Sequence, residues 1–145
     1  MNANKFGLFF ERKTVAIGIG IDASGLHVNF LVKVSTFRPE AQWIPLFVAE
    51  PRAQDEAEKW INLFSVTAAT AKEDTGSLQF DDAAFGSIDA AYYPSPSKDA
   101  PFSLFLMTCE GHSRRDAAWG MDLRETEIKQ IFAFLEKYFA PILGK

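Results

Sequence analysis

The sequence predicts an α+β fold, a largely antiparallel sheet of about seven or eight strands with two helices packed on one side, in the order ββββα-βββ(β)α. Three patterns lead there. Residues 14–36, TVAIGIGIDASGLHVNFLVKVST, alternate their side-chain character on both sides of a turn, the period of a β-hairpin. Residues around 53–64 and 126–142 instead place apolar side chains at helical spacing. The stretches between them are short apolar runs broken by Gly, Pro and acidic turns, which read as strands.

In order, the chain opens with a short Phe-rich strand, Lys5 to Glu11, joined by Arg12-Lys13 to the hairpin. In the hairpin's first strand Val15, Ile17, Ile19 and Ile21 alternate with Ala16, Gly18 and Gly20, so one face is branched and the other nearly bare. The returning strand puts Leu26, Val28, Phe30, Val32 and Val34 on one face and His27, Asn29, Leu31 and Lys33 on the other. Asp22-Ala23-Ser24-Gly25 suits a type I turn with Gly25 left-handed. A one-residue slip would expose the apolar face, so the register is well specified. Alternating glycines inside a strand point to a close approach: a helix across the sheet, a ligand or a partner backbone, with open solvent as the plain reading.

A polar loop, Phe37 to Gln42, precedes a fourth strand, Trp43 to Glu50, which Pro45 places at an edge. Pro51 opens a helix whose start carries Asp55, Glu56 and Glu58, and whose apolar stripe is Ala53, Ala57, Trp60, Ile61 and Phe64. Lys72 to Gly76 is a charged turn. Ser77 to Phe80 and Ser87 to Tyr93 are strands, split or bulged around Asp81-Asp82 and Gly86. Residues 94–101 form a proline-rich loop, and Phe102 to Cys109 with Arg115 to Asp122 make a second hairpin. In the last helix Ile128, Ile131, Phe132, Leu135, Phe139 and Ile142 share a stripe, with Thr126 as N-cap and Pro141 at the end. Residues 1–145 read as a single domain.

The formal net charge of −4 is unevenly spread. Residues 1–39 carry five bases and two acids, residues 40–99 four bases and eleven acids, and the remainder six of each. An acidic middle favours a basic partner over nucleic acid or anionic lipid. Fourteen phenylalanines announce an aromatic core. Cys109 is the only cysteine, so no intrachain disulfide and no cysteine-based metal site is expected, as suits a reducing compartment. The apolar run Phe6 to Phe10 is too short for a signal-peptide core, and no run approaches the ~20 residues of a membrane span. A cytoplasmic protein is expected.

Chemistry has few candidates. Cys109 with His112 and Asp116 would make a nucleophile, base and orienter, but Cys109 shares its parity with Phe105 and Met107 and reads as a buried structural thiol. His27 and His112 are the only histidines, and Asp81-Asp82 with Asp89 read as solvated acids rather than magnesium ligands. Gly18-Ile19-Gly20 lacks the third glycine of a dinucleotide fingerprint. No cofactor and no metal is expected.

Two resemblances bear on function. Ile17-Gly18-Ile19-Gly20-Ile21-Asp22 resembles the opening of ribonuclease H-like nucleases, whose first strand ends in a metal-binding Asp; it implies Asp22 acting with Glu56 or Glu58 and with Asp81. The repeated order of strands then helix resembles single-strand binders of the Whirly and Pur type. That implies bases stacked on the sheet by Tyr92, Tyr93 and Trp119 beside Arg114 and Arg115, or by Phe9 and Phe10 beside Arg12 and Lys13.

The leading expectation is a non-enzymatic protein-binding module, an adaptor, inhibitor or immunity-type protein. Its Asp55, Glu56, Glu58, Glu73, Asp74, Asp81 and Asp82 would steer a basic protein partner. Single-stranded nucleic-acid binding by the sheet is the alternative, and nuclease chemistry at Asp22 the third. The edge strand Trp43 to Glu50, or the bare face, offers a place for a second copy and hence a homodimer.

Overall fold

Four strands and a helix occur twice in succession: β1 (Leu8–Glu11), β2 (Val15–Asp22), β3 (Gly25–Val34), β4 (Gln42–Ala49), α1 (Gln54–Leu63), then β5 (Ser77–Asp82), β6 (Gly86–Pro94), β7 (Phe102–Thr108), β8 (Ala118–Leu123), α2 (Glu125–Phe139). The structure is a computed structural model and describes residues 6–34, 42–52, 54–65, 77–95, 99–109 and 117–144. The eight strands divide into two antiparallel four-stranded sheets, ordered β1-β2-β3-β4 and β5-β6-β7-β8, here the N-terminal and C-terminal sheets.

The central hairpin pairs Ile19 with Val28 and Ile17 with Phe30, closing at Asp22 and Gly25. Gly25 has φ +117°, a conformation costly for any residue with a Cβ, and Asp22 Oδ1 accepts the Ser24 N–H at 2.8 Å. Ile17 and Ile19 are buried, whereas Ile21 beside the turn is 54% exposed.

β4 lies at an edge. Its register against β3 shifts between Phe30 and Leu31, with Pro45 opposite Leu31. Proline has no N–H for the ladder, and a bulge absorbs the missing bond. The extra residue turns Trp43 and Phe47 to opposite faces: Trp43 joins Leu31 and Ala16 outside, and Phe47 joins the main core.

Both helices start later or earlier than their residues suggest. Pro51 precedes α1, and Glu56 Oε2 instead accepts the Arg52 N–H at 2.7 Å. The N-cap of α2 is Arg124, not Thr126, because Glu127 Oε1 accepts the Arg124 N–H at 2.8 Å and closes the first turn there. Pro141 lies just beyond the last helical residue.

One core joins the inner faces of both sheets to both helices. Phe30 stands at its centre, with ring centroids 5.0 Å from Trp119, 6.0 Å from Phe80 and 6.4 Å from Trp60. Polar bonds also cross between the sheets. Trp119 Nε1 donates to the Leu31 carbonyl at 2.9 Å, and Val48 N–H donates to Asp82 Oδ2 at 2.9 Å. Among the described residues no helix is long and apolar enough to cross a membrane.

Candidate nucleic-acid interface

Gly18 of β2 has its explanation on the outer face of the N-terminal sheet. A Cβ on Gly18 would meet three atoms of the Phe6 ring at 2.9 Å each, so the ring lies face-down on the strand. At Gly18 the close approach is made by the chain's own Phe6, neither a helix nor open solvent. Phe9, paired directly with Gly18, extends this surface, its ring 5.8 Å from Phe6 and within 17° of parallel. Trp43 stands edge-on to Phe9 at 6.0 Å, and Lys33 Nζ lies 5.3 Å from the Trp43 ring. His27 closes the row, edge-on to Phe6 at 6.2 Å.

The row therefore runs His27, Phe6, Phe9, Trp43, Lys33 across the sheet. Within the row Trp43 is buried, with Ala16 and Leu31 beneath it, while Phe6 and Phe9 are partly buried. Asn29 holds the floor, its Nδ2 donating to the Gly18 carbonyl at 3.4 Å and lying 2.6 Å from His27 Nδ1. An aromatic ring packed on backbone by one face offers its other face to a planar ligand, and a cation beside it suits a phosphate. Lys13, in the β1–β2 turn, is exposed near the same end of the sheet.

The positions expected to bind nucleic acid are dispersed. Arg12 donates to Glu127 Oε1 at 2.5 Å and to the Asp122 carbonyl at 2.9 Å, which ties it to α2. Phe10 packs into the main core. Tyr92 is also inside that core, edge-on to Phe64 and Phe102, and burial pushes its hydroxyl pKa well up; no base can reach it. Tyr93 is 55% exposed, on the outer face of the C-terminal sheet. Arg114 and Arg115 lie outside the described residues. Phe6, Trp43, His27 and Lys33 were missed. The parity of β3 already put His27 and Lys33 on one face; Phe6 precedes its strand and Trp43 depends on the bulge.

The acidic positions gather only in part. Asp55, Glu56, Asp81 and Asp82 line a groove of about 870 Å³ between α1, β4 and β5, with Glu50 at its rim. Glu58 is exposed on α1, and Glu73 and Asp74 lie outside the described residues. Asp82 is no steering charge. It is buried, and its Oδ1 accepts the Ala84 and Phe85 N–H groups at 2.8 and 2.9 Å while Oδ2 takes Val48.

Nor do the carboxylates of the nuclease reading converge. Asp22 is exposed at a hairpin turn, and hydrogen bonds from the Ser24 hydroxyl and N–H hold its carboxyl below the ordinary range. Among the described residues no three of His, Cys, Asp and Glu are placed to hold a metal ion. At Cys109 the Ser87 hydrogen bond lowers the thiol's pKa, but burial and the Asp89 and Asp81 carboxylates outweigh it and the net shift is upward. A thiol so held is a poor nucleophile at neutral pH. His112 and Asp116 lie outside the described residues.

No family model and no curated protein sequence matches the chain. Its fold is similar to MRP1/MRP2 of Trypanosoma brucei. That likeness has a TM-score of 0.56 at 9% identity and covers 91% of this chain and 77% of the other. A guide-RNA-binding protein complex bound to a gRNA is also similar, with a TM-score of 0.49 at 9% identity, over 90% of this chain and 83% of that one. At such identity the MRP1/MRP2 likeness establishes a shared fold.

Proposed function

We propose that the protein binds single-stranded nucleic acid, RNA first among the candidates, on the outer face of the N-terminal sheet. The observation that supports this most is the Phe6 ring laid flat on Gly18 beside Phe9. Unpaired bases stack on such rings whatever their sequence, at ~1–3 kcal/mol per base. Among the described residues Lys33 and Lys13 are the cations beside the row, and stacking on its rings is the main contribution this reading invokes. A duplex hides its base faces and is not a ligand for this surface. The fold shared with MRP1/MRP2 is compatible with the reading and does not carry it. A single domain in the cytoplasm completes the proposal.

The basic-partner reading at α1 has less behind it. The buried acid of its groove, Asp82, is already satisfied by three backbone amides.

Fluorescence anisotropy with a labelled oligouridylate at low salt tests the proposal. Saturable binding that a hairpin duplex fails to compete away is the expected result. No binding at tens of micromolar would end it, as would equal affinity for the duplex.

A further inference from the structure

The outer face of the C-terminal sheet repeats the device with the opposite charge. Phe105 of β7 packs over Gly120 of β8, where a Cβ would come within 2.9 Å of the ring, and the two residues are direct register partners. Tyr93 stands edge-on to Phe105 at 6.4 Å. Tyr93 is 55% and Met107 45% exposed, two of the most exposed large apolar side chains described. Hollows of about 590 and 660 Å³ flank Phe105, one reaching to Asp89 and Met107, the other to Asp99 and Asp122. An apolar surface of this kind, framed by polar groups, marks a contact site.

Among the described residues, the charges that project from this face are acidic and favour a different ligand from the one proposed for the other. Asp81, Asp89 and Asp122 project from the strands at the same parity as Tyr93, Phe105 and Met107. Among the described residues the cations beside this face are Lys59 of α1, which lines the hollow with Asp89, and Arg124 and the Glu127-bound Arg12, which line the other. Three carboxylates around the stacking surface repel a polyanion and attract cations. We propose that this face docks a protein partner whose contact surface sets Lys or Arg side chains around an aliphatic or aromatic anchor. The anchor would enter the hollow between Tyr93 and Met107, and the bases would meet Asp89 and Asp122. This does not depend on nucleic acid occupying the N-terminal sheet.

Selection of a displayed random-peptide library on the full chain tests it. Enriched peptides should combine basic residues with one or two apolar ones. As synthetic peptides they should lose at least tenfold in affinity on Met107→Ser, Tyr93→Ser or Asp89→Lys and weaken as salt is added, with Phe6→Ala without effect. All three altered positions are on the outer face, and unchanged circular dichroism confirms that the variants fold. Enriched peptides that are neutral or acidic, peptides indifferent to these substitutions, or an empty selection would overturn the proposal. So would a concentration-dependent dimer that Met107→Ser dissociates, which would assign the face to a second copy, or an RNA crosslink at Tyr93.

Discussion

Substituting Gly18 by Ala places a methyl 2.9 Å from three atoms of the Phe6 ring, closer than packed carbon atoms sit. The β2 backbone is fixed by pairing on both sides, so the ring must leave. For stability the consequence is small. A half-buried Phe contributes about 1 kcal/mol, and replacing Gly by Ala in a strand interior returns ~0.5–1 kcal/mol. For binding it is large. Removing one stacking ring costs ~1–3 kcal/mol, a loss of about 5- to 140-fold in oligouridylate affinity. Phe6→Ala removes the same ring by another route, so the double variant should bind no more weakly than either single one, a strongly non-additive cycle. Urea unfolding and anisotropy on all four proteins supply the numbers. Additive losses would show that Gly18 and Phe6 act separately. Full affinity in Gly18→Ala would refute the stacking surface itself.

Lys33→Ala should shrink the slope of log affinity against log salt by about 0.7, the value of one phosphate contact on a single strand, with affinity at a fixed salt less affected than by Phe6→Ala. Asp82→Ala should destabilise by about 2–4 kcal/mol in urea unfolding, since it orphans the Val48 N–H between the sheets and frees the β5–β6 turn. Arg12→Ala should cost ~1–3 kcal/mol of stability through its half-buried pairing with Glu127 while leaving oligouridylate binding unchanged, and a selective binding loss would return Arg12 to the interface. Asp22 has a lowered pKa in the folded protein, so its contribution is present above the unfolded value near 3.8 and lost as pH falls through the lower folded one. Ser24→Ala removes a donor, and the Asp22 midpoint, followed by NMR titration of its carboxyl carbon, should rise toward 3.8. An unmoved midpoint would contradict the assignment of that shift to Ser24.

The sequence by itself determined the elements, their order and most of the faces. Alternation from Val15 to Val34 and helical spacing from Ile128 to Phe139 are local consequences of backbone geometry, legible without knowing what packs against them. Only the tertiary structure decided the rest. The split of eight strands into two sheets is not visible in the strand order along the chain. Trp43 and Phe47 share a parity and would share a face, but the Pro45 bulge separates them. Tyr92 and Tyr93 look equivalent in the chain, yet one is core and the other surface. Phe6 belongs to no periodic pattern; it reaches Gly18 because the first strand folds back beside the second. The site is built from such long-range encounters, and periodicity reports only what neighbours along the chain share.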